Sequence, residues 1–151
     1  MPAPQPLSSS RAAEQSLVSL AAGADAVAFA DCHNADVQAA AALGIVDGVG
    51  NGLFAPYRFI TREQAAVMLA RTAAVLGISA MGESVSFTDA PQFASWVEAA
   101  IQTASQILCG EEQVPLMQGV GNARFAPQSV YTVEQSVITL LRLTKAVQPN
   151  Q

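Results

Sequence analysis

Arg62, Asp31, Asp89 and Trp96 are the side chains best suited to chemistry in this 151-residue chain. A planar guanidinium such as Arg62 can grip a carboxylate through two parallel hydrogen bonds. Asp31 and Asp89 each follow an aromatic residue by two positions, in Phe29-Ala30-Asp31 and Phe87-Thr88-Asp89. A carboxylate so placed can cap a turn or helix. Trp96, the single tryptophan, can stack on a sugar ring or fill a core. Glu14, Glu63 and Glu134 recur at equivalent helix starts, where capping and the helix dipole explain them better than acid–base chemistry. Cys32-His33, between Asp31 and Asp36, superficially resembles a metal cluster, but the chain has one histidine and two cysteines. No metal or cofactor is expected on that ligand set. Neither a Ser-His-Asp order, a phosphate loop nor a Cys-x-x-Cys pair is present, so no enzymatic activity is expected.

The elements that position these residues are repeated. Gly48-Val49-Gly50-Asn51-Gly52-Leu53-Phe54-Ala55-Pro56 recurs 71 residues later as Gly119-Val120-Gly121-Asn122-Ala123-Arg124-Phe125-Ala126-Pro127. The same offset lays Thr61-Arg62-Glu63-Gln64 on Thr132-Val133-Glu134-Gln135, and Arg71 on Arg142. The Phe-x-Asp openings stand only 58 apart, so the second copy carries 13 extra residues, placed near 109–118 as a surface loop. A partial copy, Ala12 to Val18, lies over Thr132 to Ile138. A repeat at fixed period means that no single unit buries its apolar face alone.

Both Thr-x-x-Gln phrases fit the capping box and precede apolar residues at helical spacing. Helices are therefore expected over Ser10–Ala22, Thr61–Leu76 and Thr132–Ala146, with shorter ones over Ala35–Leu43 and Phe93–Leu108, capped by Asn34 and Ser95. The glycine phrases are turns, with short extended pieces near Leu53-Phe54 and Arg124-Phe125. The chain divides into a tail at 1–7, one domain over 8–146 (partial repeat 8–23, repeat 29–77, repeat 87–146) and a tail at 147–151.

Phe-x-Asp, Gly44-Ile45-Val46-Asp47-Gly48, Phe54 to Pro56 and Ile60-Thr61-Arg62-Glu63, in that order, resemble the S-layer homology domain. The resemblance covers roughly residues 8 to 145. It implies an all-α fold in which S-layer homology repeats surround a pseudo-threefold central helical bundle. It implies a non-catalytic, extracellular module that holds a secondary cell wall polysaccharide, acidic or pyruvylated, in grooves between repeats. Arg62 stands where the family carries its groove arginine; Val133 and Ala13 replace it in the other copies. Gly48 and Gly50 would offer backbone amides to sugar hydroxyls, beside Asp31 or Asp89. A degenerate fold serving as a protein–protein or assembly module is the alternative. The residue chemistry alone also allows Arg62 to be a solvated first-turn side chain beside Glu63.

Composition sets the outer bounds. Apolar residues make up 51% and charged ones 13%, too apolar for disorder. A net charge of −5 speaks against nucleic acid as partner. No apolar run reaches the ~20 residues that span a bilayer. Residues 1–6 lack the basic start and apolar segment of a secretory signal; this fits either a cytoplasmic protein or a piece excised from a secreted one, and the partial repeat favours excision. The missing first half of that repeat leaves an apolar edge from which weak self-association is expected. The two cysteines are expected to be buried free thiols.

Overall fold

The computed structural model describes residues 27–147. The expected helix over Ser10–Ala22, the partial repeat at 8–23 and the tails at 1–7 and 148–151 lie outside the described residues. Among those described, the order is α1 (Ala35–Ala42), α2 (Arg62–Val75), a single 3₁₀ turn (Ala90–Gln92), α3 (Glu98–Gln106), β1 (Leu108–Cys109), β2 (Val114–Pro115) and α4 (Val133–Ala146). The fold is mostly helical.

Three caps form as the sequence expects. Ser95 does not cap α3, which is preceded by Val97 with no side-chain cap. Thr132 caps α4 without a reciprocal box, because the Gln135 side chain turns to Arg62. Asn34 accepts from the amides of Asp36 and Val37. Thr61 and Gln64 make the full reciprocal capping box on α2. Thr132 accepts from Gln135 N–H on α4. Both α1 and α2 stop at a glycine with positive φ, Gly44 and Gly77, whose successors Ile45 and Ile78 donate back to Ala40 and Ala73.

The core lies where α2 packs on α3. Ala66, Leu69 and Ala73 of α2 meet Val97, Ile101 and Ala104 of α3 in one buried cluster that also includes Leu143 of α4. Phe87, Phe93 and Phe125 close its floor, with ring centroids 5.4 to 6.2 Å apart. Here the structure departs from two expectations. α3 begins at Glu98 instead of Phe93, because Phe93 adopts extended backbone (ψ 136°) after the 3₁₀ turn and inserts its ring into that floor. The inserted stretch is also more than a surface loop. Residues 108–115 form an antiparallel hairpin, Leu108 opposite Pro115 and Cys109 opposite Val114. Cys109, Leu116 and Met117 are buried in the core, Leu108, Val114 and Pro115 are half-buried, and the tip is exposed from Glu111 to Gln113. The anticipated extended pieces reduce to the isolated bridges Gly50–Leu53 and Gly121–Arg124. Cys32 and Cys109 are free and buried.

The two glycine phrases share one turn from their second residue on, although Gly48 has a positive φ and Gly119 does not. Val49 N–H donates to Leu53 O and Val120 N–H to Arg124 O. Asn51 and Asn122 have φ of 53° and 51°, and Ala55 and Ala126 have 59° and 57°. Alanine in that left-handed region costs about 1–2 kcal/mol, so something must hold it there. A Cβ on Gly48 would stand 2.5 Å from Leu53 O, and one on Gly119 would stand 2.6 Å from Arg124 O. Close backbone approach therefore requires glycine at both positions.

Candidate functional site at the junction of the repeats

Asp31 and Asp89 supply the holding force. Asp31 accepts the amides of Phe54 and Ala55, both at 2.8 Å. Asp89 accepts those of Phe125 and Ala126 at 3.0 and 2.8 Å. Each carboxylate thus clamps the alanine with positive φ and ties the repeat's opening to its glycine phrase. At Asp31 the Phe54 amide leads in lowering the pKa. At Asp89 burial pushes the pKa up, but the amides of Phe125 and Ala126 outweigh it and the net direction is down. Both oxygens of each carboxylate are engaged in these turns.

Arg62 is 4% exposed, so it is not a solvated first-turn residue. Its Nε donates to Phe125 O at 2.9 Å, Nη2 to Gln118 O at 2.7 Å and Nη1 to Gln135 Oε1 at 3.2 Å. The guanidinium carbon sits 4.7 Å above the centre of the Phe125 ring, a cation–π distance. Arg62 and Asp89 therefore grip the same residue, one at its carbonyl and one at its amide. Among the described residues no carboxylate lies within ion-pair distance of Arg62; the pairs formed there are Arg71–Asp47 and Arg124–Asp89. Burial lowers the Arg62 pKa, and Tyr131 and Asp89 oppose that shift. A guanidinium has five N–H groups; one on each terminal nitrogen remains for a further acceptor.

The surrounding contacts form the junction between the two repeats. Arg62 N–H donates to Ser129 O and Glu63 N–H to Pro127 O, while Tyr131 N–H donates to Ile60 O. Gln128 donates to Glu63 Oε1 at 2.8 Å, and Glu63 Oε2 is buried with no hydrogen-bond partner among the described residues. Residues 127–131 of the second repeat thus seat the first turn of α2.

Gln118 and Gln128 were not singled out by sequence, and Gln135 and Phe125 were read there only as cap and turn residues. The signal was the 71-residue offset. Gln118 stands where Asp47 stands, and Arg71 bonds Asp47 as Arg142 bonds Gln118. Gln135 stands where Gln64 stands, but its amide turns to Arg62. Trp96 is 61% exposed, so it is not a core residue; no hydrogen bond or ring contact among the described residues joins it to Arg62. Asp31, Gly48 and Gly50 belong to the first repeat's own turn, away from the Phe125 contacts. Between α2 and α4 runs an apolar groove of about 410 Å³, lined by Met68, Leu69, Thr72, Val133, Ser136 and Leu140 together with the 58–60 segment.

The family model described as S-layer homology domain matches residues 30–66, a span that holds Asp31, Gly48, the first Phe-Ala-Pro and Arg62. That span is recognised as an S-layer homology domain. It is also 35% identical over 103 residues to an endoglucanase of Bacillus sp. (strain KSM-635), an alignment covering 67% of this chain and 10% of that protein. The chain thus spans about a tenth of the length of the curated relative it matches. No solved structure matches it. S-layer homology domains are non-catalytic and anchor proteins to cell wall components at the cell surface. No helix among the described residues is long and apolar enough to cross a membrane.

Proposed function

We propose that this S-layer homology chain is an extracellular anchor that holds an acidic polysaccharide of the bacterial wall at the junction of its two whole repeats. The observation that carries the reading is the state of Arg62. A buried charge is normally paired, yet this one is held by two carbonyls and an amide, with two N–H groups left over. A carboxylate, as on a pyruvylated sugar, has the charge and geometry to take them. The surrounding glutamines and the exposed Trp96 suit a neutral remainder of the glycan. Asp31, Gly48 and Gly50 act in this reading by fixing the turn. The finer architecture belongs to the same reading: three repeats about a pseudo-threefold axis, with α2 and α4 as two helices of the central bundle and residues 10–22 as the third.

Arg62→Lys tests it. Lysine keeps the charge and loses the fork, so co-sedimentation with polysaccharide-bearing walls should weaken roughly ten- to hundredfold. Arg71→Ala, which removes an exposed pair with Asp47, should leave binding unchanged. Wall binding by Arg62→Lys equal to wild type, in a protein that still folds, removes the glycan site. A protein–protein role has one observation in its favour: Val133, Val137, Leu140 and Leu141 stand exposed along α4.

A further inference from the structure

A glutamine at one position of the repeat makes two different bonds in its two copies. In the first, Gln64 closes the capping box: its Oε1 accepts Thr61 N–H at 2.9 Å, while Thr61 Oγ1 accepts Gln64 N–H at 3.3 Å. In the second, Thr132 Oγ1 accepts Gln135 N–H at 3.2 Å, but the reciprocal bond is not made. Gln135 Oε1 accepts from Arg62 Nη1 instead, also at 3.2 Å. The backbone does not explain the difference. Thr61 has φ −88° and ψ 164°, and Thr132 has φ −82° and ψ 163°, so both caps are equally ready for the full box. What differs is the guanidinium within reach of Gln135.

A guanidinium only donates, so the carbonyl end of the Gln135 amide must face it. The NH2 end shares a carbon with that oxygen and therefore lies beside the guanidinium, within the span of one ligand group. Among the described residues the Gln135 side chain bonds Arg62 alone, which leaves its two N–H groups for a further acceptor. Both partners are held in place. Phe125 O and Gln118 O fix the guanidinium, and the Thr139 hydroxyl donates to Gln135 O at 3.0 Å. Gln135 is half-buried beside exposed Thr132, Val133 and Glu134, so solvent reaches this side of the junction.

We propose that Gln135 is a ligand-binding residue of the Arg62 site, whose amide N–H groups donate to the same acidic group that the free guanidinium N–H groups take. The inference rests on the Arg62 reading and assigns Gln135 to the acid of the glycan instead of its neutral remainder. The site is then a composite: the first repeat supplies the charge and the second a neutral donor. An amide suits this place for a physical reason. Glutamate would keep the acceptor for Arg62 but cancel its charge and repel a carboxylate. Glutamine holds the guanidinium with one end and donates to an anion with the other. Forgoing half of the capping box is offset by bonds to charged groups, which are roughly twice as strong as neutral ones.

Side-chain amides give their own NMR signals, so the claim is readable in the wild-type chain. Fragments of polysaccharide released from purified Gram-positive walls should shift the Gln135 NH2 signals, identified by their loss in Gln135→Glu, and leave those of Gln64 in place. Gln135→Glu, still folded, should co-sediment with walls about ten- to hundredfold more weakly than wild type. Shifts at the backbone amides of Phe125 and Gln118 with the Gln135 NH2 unmoved leave the glycan site standing and overturn this role. Wall binding by Gln135→Glu equal to wild type overturns it too. No shift at any residue overturns the Arg62 site and this role with it. The wild-type titration decides the matter whether or not the variant folds.

Discussion

Asp89 holds two amides with one buried carboxylate, and replacing it by asparagine leaves one of those N–H groups facing an amide nitrogen. Asp89→Asn should destabilise the fold by about 1.5–3 kcal/mol, the usual worth of a hydrogen bond to a charged group, as read by denaturant unfolding. The pH dependence follows from the same bonds. Asp31 and Asp89 both have folded pKa values below the ordinary 3.8, so their contribution is fully present above the ordinary aspartate range. It should be lost as pH falls from there through the folded values. A transition midpoint independent of pH across that acid range would contradict the clamp. Arg62→Ala removes three hydrogen bonds and strands two carbonyls, so destabilisation on the order of 3 kcal/mol is expected, alongside any loss of binding. The residue types were legible in the sequence: spacing picked out Asp31, Asp89 and Arg62. Their partners were not, because which backbone groups a side chain reaches depends on how two repeats meet.

The caps at Asn34, Thr61 and Thr132 were the most legible elements, since these residues carry local chemistry that tertiary packing does not override; Ser95 was not such a cap. The start of α3 was not, because Phe93 serves the aromatic floor before it can serve a helix. The hairpin was hidden for a similar reason: Gly110, Glu111 and Glu112 signal a loop, while Cys109, Leu116 and Met117 around them are buried. Leu116→Ala separates the two readings. A fully buried leucine should cost about 2–5 kcal/mol on truncation, whereas in a surface loop the melting temperature would barely move. Gly48→Ala makes the matching test of the glycine phrase, because its Cβ would meet Leu53 O at 2.5 Å and Phe29 at 2.8 Å. That variant should unfold at clearly lower denaturant than Gly50→Ala; no atom lies within 4 Å of a Cβ at Gly50, although both glycines have positive φ.

At the scale of the molecule, duplication brings one repeat's α2 start against the next repeat's Phe-Ala-Pro, and there Arg62 is buried and oriented with no ion pair among the described residues. The repeat period was readable from sequence, and so was the survival of a single arginine among three copies. That the arginine braces the junction as well as facing it was not readable, since burial depends on the packed neighbour. The most direct measurement is co-sedimentation of the full chain with purified Gram-positive walls, before and after the attached polysaccharide is stripped. The chain should pellet with intact walls and stay in solution with stripped ones. Equal pelleting with both, or none with intact walls, would contradict anchoring through the polysaccharide.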